Sequence, residues 1–457
     1  MKATVPRGSI GNGITHEDID RAADRLAVEQ ARRTDAQRTL FQRLRPLWLL
    51  IGPGILVFIG ENDAPSMLSY AATGAKYGIG FFVPFILVTF LAGFVVQEMT
   101  VRLGAVTHRG HAELIFDRFG PFWGRFAMVD LVIGYFLTLV TEFIGVRAGL
   151  GFFGVPPLIA VGGAMLLVFG VLLSHRYWTW ERITLGLAFF NALFVPAALL
   201  AHPRWGVIGH ALLTWSPLPP GGIFKPDTIM LIMANIGATV TPWMLFFQQS
   251  AVVDKGLQAR DIKAGRADTM LGTLLAATFG IAALVATAPL LTHGIKADDF
   301  QAAQFAQALQ PVIGRVGATL FALGIFEAGL LAAMTISTSS AYAFGEVLHM
   351  PHSLNQPFWE AWPFYLILLG SAFAAGALVL IPNAPLTYIV LMVNVIAVLA
   401  MPPALLFLII LVNDPEIMGS HVNGRWANIG VITVTALLIF AGLAYGIITV
   451  FPSLFGG

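Results

Sequence analysis

The sequence contains no cysteine, and only 11% of its 457 residues are Asp, Glu, Lys or Arg. The absence of cysteine excludes disulfides, thiolate metal sites and cysteine nucleophiles. A soluble domain carries about 25% charged residues, so the low charge and the 57% of hydrophobic residues predict a multi-pass membrane protein. The net charge of +1, without a basic stretch interleaved with aromatic residues, argues against a nucleic-acid partner.

Eleven apolar segments that are long enough to cross a bilayer follow the first 47 residues. Five precede a Pro-rich loop, five follow it and one closes the chain; they span 48–72, 79–102, 125–150, 156–174, 181–201, 227–252, 269–292, 313–346, 360–381, 385–412 and 426–450. The predicted fold class is therefore an all-α integral membrane protein with eleven transmembrane helices, with the lipid bilayer as its surroundings.

These segments divide the chain into five regions. We predict a cytoplasmic N-terminal tail with an amphipathic helix, a first five-helix repeat, an external loop, a second five-helix repeat, and an eleventh helix with the C-terminus, at 1–47, 48–201, 202–226, 227–412 and 413–457. The distribution of Lys and Arg between the loops indicates the orientation. Without counting the tail itself, 11 of these residues lie on the same side of the membrane as the tail and 6 lie on the opposite side. We therefore expect a cytoplasmic N-terminus and a plasma (inner) membrane location.

The first apolar segment is interrupted by the stretch Gly60–Ser66, which contains Glu61, Asn62, Asp63 and a proline. A charge in the middle of a bilayer costs at least about 2.5 kcal/mol, so this stretch must face protein or a cavity. The carboxylate of Asp63, a hydroxyl and carbonyls freed by the proline would form an oxygen-rich shell, which suits hard cations. For Glu61 and Asn62, contact with an ion and contact with a neighbouring helix are equally compatible with the sequence.

A second interruption lies at the corresponding place in the second group of segments, at Thr241-Pro242. Pro242 frees carbonyl groups near Ala238, and Thr241 adds a hydroxyl. Two helices interrupted by Gly or Pro at matching positions of two halves are typical of inverted-repeat transporters, which bind their substrate between the two breaks. The sequence therefore predicts a transporter with a site shared by both interruptions.

Several motifs resemble those of the NRAMP family of divalent-metal transporters. They lie at 52–54, 74–78, 102–107, 112–114, 237–240 and 414–426, and the resemblance covers most of the chain from about Ile51 to Ile448. The resemblance implies the LeuT-type fold, with two inverted five-helix repeats plus one helix. It also implies a metal ion as transported substrate, no cofactor and no enzymatic activity.

The resemblance further implies a set of metal-binding residues. The family's motif Asp-Pro-Gly-Asn falls on Asp63–Ser66, so that Asp63 keeps the carboxylate and Ser66 replaces the amide. Ala238 matches the alanine whose carbonyl binds the ion, and Asn394 matches a glutamine that lines the site. Thr241 stands in place of a methionine ligand, and Glu142 matches the last residue of a proton route. Three residues next to this set are secondary candidates for contact with the ion: Gly60, Glu61 and Asn62.

The departures from the family pattern predict a change of ion. A thioether favours transition metals, whereas the hydroxyl of Thr241 is a hard ligand, so Mg²⁺ or Mn²⁺ is favoured. Trp243 replaces a histidine and Leu139 replaces an acid, which removes titratable groups for proton passage and leaves Glu142 as the candidate route. Classical proton-coupled uptake is therefore not expected.

Two other functions fit parts of the sequence. A LeuT-type scaffold also suits a carrier of an amino acid or another small organic substrate. A membrane enzyme or sensor is less compatible, because no nucleophile–base pair or nucleotide loop is visible. Nothing indicates an obligate protein partner. Asp130 and Glu327 are interpreted as packing residues, and His108 and His111 as solvated.

Overall fold

The computed structural model describes residues 52–173, 177–293, 302–347, 354, 357–382, 384 and 386–451. The predicted tail at 1–47 and its amphipathic helix lie outside the described residues. Within the described part of the chain there are helices and no strands. The α-helices are α1 (Pro53–Glu61), α2 (Ala64–Tyr77), α3 (Phe82–Thr107), α4 (His111–Phe119), α5 (Pro121–Gly151), α6 (Pro157–Leu172), α7 (Tyr177–Ala188), α8 (Phe194–Leu200), α9 (Trp205–Thr214), α10 (Pro226–Gly237), α11 (Pro242–Asp254), α12 (Ile262–Thr287), α13 (Pro289–Thr292), α14 (Ala302–Val347), α15 (Trp362–Val379), α16 (Leu386–Asn413), α17 (Pro415–Met418) and α18 (Arg425–Val450).

Nine stretches of helix in the described residues are long and apolar enough to cross a membrane. One of them, Pro226–Asp254, contains α10 and α11 together with the break between them. The interrupted pair α1 and α2 and the shorter α6 supply two further positions, so the structure is compatible with the eleven predicted segments. The all-α fold is confirmed, whereas the division into five regions stays a prediction.

Proline marks where many of these helices begin. α1, α5, α6, α10 and α11 each start with a proline, because the first helical residue needs no N–H donor and the ring already fixes a helical φ angle. Pro65 occupies the second position of α2 for the same reason. The prolines that sequence reasoning used to find the two interruptions are therefore helix starts within a longer apolar run.

Two segments differ from their predicted bounds. The loop 202–226 contains α9, an apolar helix that sequence reasoning left unassigned because it is shorter than a membrane span. The segment predicted at 313–346 begins at Ala302, and the backbone leaves the helical region at Gly314, with φ 75°. Glycine tolerates this positive φ without the clash of a Cβ atom, so α14 contains a kink near its start.

The interrupted helices lie at the centre of the molecule, and α18 lies at its edge. In the most apolar 18-residue window of Pro226–Asp254, 94% of residues are buried, compared with 28% for Arg425–Val450. A helix that is buried on all sides must place its backbone breaks against protein. The centre is therefore where polar groups of a broken helix can be satisfied.

A buried carboxylate anchors the start of α1. Asp268 on α12 accepts hydrogen bonds from the backbone N–H groups of Gly52, at 3.1 Å, and Gly54, at 2.6 Å. Beside it, buried Lys255 donates to Glu181 at 2.8 Å between nitrogen and oxygen. Because the first N–H groups of a helix lack intrahelical acceptors, this carboxylate satisfies them and fixes α1 to α12.

Candidate cation site at the two helix breaks

The first break consists of Asn62 and Asp63, which lie between α1 and α2. Asp63 is the N-cap of α2, and its carboxylate accepts a hydrogen bond of 2.9 Å from the backbone N–H of Ser66. Glu61 and Asn62 are completely buried, and Asp63 is 2% exposed. The sequence therefore places two buried acids at the junction of the half-helices, Glu61 at the last residue of α1 and Asp63 in the non-helical break.

The second break runs from Ala238 to Thr241, between α10 and α11. The hydroxyl of Thr241 donates to a carboxylate oxygen of Glu61 at 2.8 Å, which joins the two breaks directly. The carbonyl of Ala238 accepts a hydrogen bond of 2.6 Å from the hydroxyl of Tyr70 on α2. Carbonyl and hydroxyl oxygens of the second break thus face the acids of the first.

Two neighbouring helices complete the surroundings of the breaks. On α5, one carboxylate oxygen of Glu142 accepts the backbone N–H of Ala64 at 3.1 Å. On α16, the side-chain amide of Asn394 donates to the hydroxyl of Ser69 at 3.0 Å, and its backbone carbonyl lies directly against Gly237. Glu142 therefore reaches the first break, whereas Asn394 lies at the edge of the second.

In the structure, most of the predicted site residues lie together around the two breaks, whereas the side chain of one of them points to a neighbouring helix. Around the breaks lie Gly60, Glu61, Asp63, Ser66, Ala238, Thr241, Asn394 and Glu142. The side chain of Asn62 instead donates to the carbonyl of Ala276 on α12, at 2.8 Å. Of the two residues left open by the sequence, Glu61 contacts the second break and Asn62 contacts a neighbouring helix.

Sequence reasoning missed Tyr70, which lies on the same face of α2 as Asp63 and Ser66. The spacings of three and four residues carried the signal, because residues so spaced are neighbours on a helix surface. Thr335 on α14 was also missed; its hydroxyl would lie 3.4 Å from a Cβ atom at Gly60. No sequence pattern connects Thr335 to the site, since this contact depends on how α14 packs.

The electrostatic character of the site is strongly acidic. The carboxylate of Asp63 repels those of Glu61 and Glu142 electrostatically. Within the described residues, none of these three side chains forms an ion pair. One oxygen each of Glu61 and Glu142, and the hydroxyl of Ser66, are buried without a hydrogen-bond partner. Buried carboxylates are costly unless protons or a cation neutralise them, so the site favours a positive species.

The donor set is mixed rather than purely acidic. In the part of the chain that the structure describes, no group of three or more Asp, Glu or His side chains could hold a metal ion alone. A cation at the breaks would therefore need carbonyl and hydroxyl oxygens in addition to carboxylates. Oxygen donors of these kinds suit Mg²⁺, Ca²⁺ and Mn²⁺.

The interpretation of His111 as solvated is wrong. The ring is completely buried, its Nδ1 lies 2.9 Å from the side-chain oxygen of Gln249, and its edge contacts Phe246. Burial lowers the pKa of His111 to about 4, because an apolar environment disfavours the charged ring. The short helix α4 packs against α11, which the position of the histidine in a predicted connection could not indicate.

Glu327 fits its interpretation as a packing residue. It accepts a hydrogen bond of 3.1 Å from the side-chain amide of Asn191, and both residues are buried between α14 and the short 3₁₀ turn Phe189–Leu193. Within the described residues, neither side chain forms a hydrogen bond or ion pair with the breaks. The acidic charge relevant to a cation is therefore that of Glu61, Asp63 and Glu142.

Comparison with known proteins identifies the family to which the chain belongs. The family profile described as natural resistance-associated macrophage protein-like matches residues 54–448. The divalent metal cation transporter MntH 1 of Pseudomonas aeruginosa is 27% identical over 401 residues, covering 84% of this chain and 88% of its own. The structure of a mutant Eremococcus coleocola manganese transporter superposes with a TM-score of 0.70 at 20% identity, covering 89% of this chain and 88% of that chain.

A more distant neighbour indicates how general the scaffold is. The structure of a Na⁺-coupled sialic acid symporter superposes with a TM-score of 0.56 at 13% identity, and covers 94% of this chain and 98% of that chain. At such low identity the likeness concerns the fold alone. The long family match, by contrast, includes both helix breaks, and the chain belongs to the natural resistance-associated macrophage protein (NRAMP) family.

Proposed function

We propose that this protein carries divalent metal cations across the membrane by alternating access, with Mn²⁺ or Mg²⁺ as the favoured ion. The observation that carries the proposal is the pairing of two unlike breaks. Glu61 and Asp63 supply negative charge, and the second break presents neutral oxygens to them through Ala238 and Thr241. A divalent cation would neutralise two carboxylates and satisfy orphaned buried oxygens at once.

The proposed ligands are Asp63, Ser66, Ala238 and Thr241, with Asn394 at the margin. Asp63 would bind through its carboxylate, Ser66 and Thr241 through hydroxyls, and Ala238 through its carbonyl. To bind an ion, the carbonyl of Ala238 can use a lone pair that Tyr70 leaves free, since a carbonyl accepts at two positions. The name of the Pseudomonas relative, a divalent metal cation transporter, supports this substrate class.

The preference for a hard ion rests on Thr241. A hydroxyl oxygen at this position binds Mg²⁺ and Mn²⁺ better than a sulfur ligand would. The described donors around the breaks are all oxygens, and the chain contains no cysteine. The manganese named for the Eremococcus transporter supports Mn²⁺ as the first ion to test.

In the proposed mechanism, one group of helices rocks against the other around the fixed site. The repeats at 48–201 and 227–412 each contribute one interrupted helix to this site, and the N-terminus lies in the cytoplasm of the cell at the inner membrane. The breaks let each half-helix tilt without disrupting the other, because no helical hydrogen bonds cross them. Glu142 is the residue that would exchange a proton with the site, since it already contacts the backbone of the first break.

An organic substrate is the second candidate, and the charge of the site counts against it. An amino acid brings a carboxylate of its own, which the acids of the first break would repel. The symporter and a structure of MhsT with L-phenylalanine show that related folds accommodate organic molecules. Transport of an organic substrate is therefore the alternative that an uptake experiment must distinguish from transport of a metal ion.

Ion uptake into proteoliposomes with an enclosed pH-sensitive dye tests the proposal. We expect Mn²⁺ or Mg²⁺ to accumulate, and the dye reports whether protons move with the ion. Thr241→Met should shift preference towards the softer Cd²⁺, because a thioether replaces a hydroxyl. If Mn²⁺, Mg²⁺, Fe²⁺ and Ca²⁺ all fail to enter while an amino acid stabilises the protein against heat, the substrate class is wrong.

A further inference from the structure

The carbonyl oxygen of Ala238 lacks the donor that a continuous helix would give it. Ala238 is the C-cap of α10, and the residue four positions later, whose N–H would reach this carbonyl, is Pro242. Proline has no N–H. The hydroxyl of Tyr70 on α2 supplies the donor instead, at 2.6 Å between the two oxygens. The direction of this carbonyl is therefore set by a side chain of the other interrupted helix.

The hydroxyl of Tyr70 is held in place by what surrounds its ring. Tyr70 is completely buried, and the centroid of its ring lies 6.3 Å from that of Phe90 on α3. A Cβ atom at Gly280 on α12 would lie 2.9 Å from the ring, so the ring rests on the backbone of α12. Protein interiors packed in this way leave little room for a ring to move. The donor thus has a fixed position relative to α3 and α12.

A second contact between α2 and α10 lies one turn away. The side-chain amide of Asn235 on α10 donates to the hydroxyl of Thr73 on α2, and also to the carbonyl of Leu231, at 2.7 Å each. Tyr70 and Thr73 are three residues apart, as are Asn235 and Ala238, and residues so spaced are neighbours on a helix surface. The end of α10 is therefore fastened to α2 at two successive levels, of which Tyr70 reaches the break itself.

We propose that Tyr70 is a positioning residue that sets ion selectivity by fixing the carbonyl of Ala238. The inference rests on the proposed function, and in it Tyr70 does not contact the ion. With one lone pair engaged by the tyrosine, the carbonyl has one left for the ion. Mg²⁺ requires ligands at about 2.0–2.1 Å, whereas Ca²⁺ accepts about 2.3–2.6 Å and a more flexible shell. A carbonyl that cannot move outwards therefore favours a small cation over Ca²⁺.

Uptake of Mn²⁺ and Ca²⁺ into proteoliposomes by Tyr70→Phe tests this role. Phenylalanine keeps the ring and removes only the hydroxyl. We expect the KM for Mn²⁺ to rise about three- to tenfold, the range that the loss of one hydrogen bond gives, and the KM for Ca²⁺ to rise less or to fall. The ratio of the two KM values is the readout, because a loss of folded protein lowers both maximal rates and leaves this ratio unchanged.

Tyr77→Phe is the matched control. Tyr77 also lies on α2, and its hydroxyl oxygen lies 2.8 Å from that of Thr228 on α10. The substitution removes a hydroxyl contact between the same two helices, about two turns from Tyr70, and leaves the contact with Ala238 intact. It should keep the wild-type ratio of the KM values. An equal change of this ratio in both variants would mean that the selectivity depends on holding α2 and α10 together and not on the carbonyl, which would overturn the proposal.

A second pair of variants displaces the ring and keeps the hydroxyl. Gly280→Ala adds a Cβ atom 2.9 Å from the ring of Tyr70, which must then shift. We expect the ratio of the KM values to change in the same direction as in Tyr70→Phe. Gly265→Ala, near the start of the same helix, adds a Cβ atom 2.6 Å from a methyl group of Val101. It should cost stability in a similar way and leave the ratio unchanged. A wild-type ratio in folded Gly280→Ala would contradict the proposal.

The outcomes separate this inference from the function on which it rests. If the wild type takes up Mn²⁺ and Tyr70→Phe has the wild-type ratio of KM values, the role of Tyr70 is wrong and the proposed function survives. If the wild type takes up no divalent cation at all, the proposed function itself fails.

Discussion

The first break contains the carboxylate of Asp63 and adjoins that of Glu61 at the end of α1, whereas the second break, Ala238–Thr241, contains no ionisable side chain. Both are buried, and both follow a half-helix of similar length. The first also gains Glu142 from α5, while the second packs its backbone against α16. Charge is thus concentrated on one side of the site and close backbone contact on the other.

This difference indicates a division of roles between the two breaks. Carboxylates supply most of the attraction for a cation, because ionic interactions are strong in a buried, low-dielectric site. Carbonyls and hydroxyls fix the distance and the number of ligands, and so they influence which ion fits. Substitutions in the first break should therefore abolish transport, whereas those in the second should change selectivity or the positions of helices.

The largest effect is expected for Asp63→Asn. Asparagine caps a helix as well as aspartate does, so the hydrogen bond to Ser66 and the fold should persist while the charge is lost. Losing one partner of a buried charge pair costs about 3 kcal/mol or more, which is roughly a hundredfold. Mn²⁺ uptake into proteoliposomes should fall by about that factor, with no change in the melting temperature.

The matched control for this substitution is Asp414→Asn. Asp414 is also a helix N-cap that accepts the backbone N–H of Glu416 at 2.9 Å, far along the chain from the breaks. Unlike Asp63, it forms an ion pair of 2.7 Å with Arg118, so the control compares the uptake of the variants and not their stability. Uptake should stay at the wild-type level in this variant. Equal losses in both variants would mean that the charge of Asp63 has no special role.

Gly237→Ala should have the next largest effect, on stability as well as uptake. A Cβ atom at this position would overlap the backbone carbonyl of Asn394, and a backbone group cannot rotate away. Overpacking of this kind costs about 1–3 kcal/mol, measurable as a lower melting temperature in detergent. Gly163→Ala on α6, where nothing lies within 4 Å, should leave stability unchanged or slightly raised. If Gly237→Ala behaves in the same way, the close contact with α16 is not required.

Thr241→Val should weaken ion binding without abolishing transport. Valine has the shape of threonine but cannot donate to Glu61, which loses its 2.8 Å hydrogen bond. A hydrogen bond to a charged group contributes about 1.5–3 kcal/mol, so KM for Mn²⁺ should rise about tenfold or more. Thr241→Ser keeps the hydroxyl and should retain most of the wild-type affinity. An unchanged KM in Thr241→Val would mean that the hydrogen bond between the two breaks does not contribute to ion binding.

The smallest effect on transport is expected for Asn62→Ala. This amide donates to the carbonyl of Ala276 rather than to the site, and a typical buried hydrogen bond contributes about 1 kcal/mol. The melting temperature should fall modestly, while the KM for Mn²⁺ per folded molecule stays within about twofold of the wild type. A loss as large as that of Asp63→Asn would place Asn62 among the ligands.

Much of the architecture follows from the sequence because apolar length, proline and buried acids have local causes. The breaks at Gly60–Ser66 and Thr241-Pro242 were found in this way, and both are helix ends in the structure. The hydrogen bond between Thr241 and Glu61 was not predicted, since it joins residues 180 positions apart. The burial of His111 depends likewise on the packing of α4 against α11. Pairings of this kind are set by tertiary structure, which no local pattern encodes.

The anchor at the start of α1 restricts how the first half-helix can move. Asp268 binds its N–H groups, and a Cβ atom at Gly272 would lie 2.6 Å from the carbonyl oxygen of Gly54, so the two backbones touch. α1 and α12 are therefore mechanically one body. Any tilt of α1 that opens the site must take α12 with it or break the hydrogen bonds to Asp268, and the smallest moving part of this transporter is a pair of helices rather than a single one.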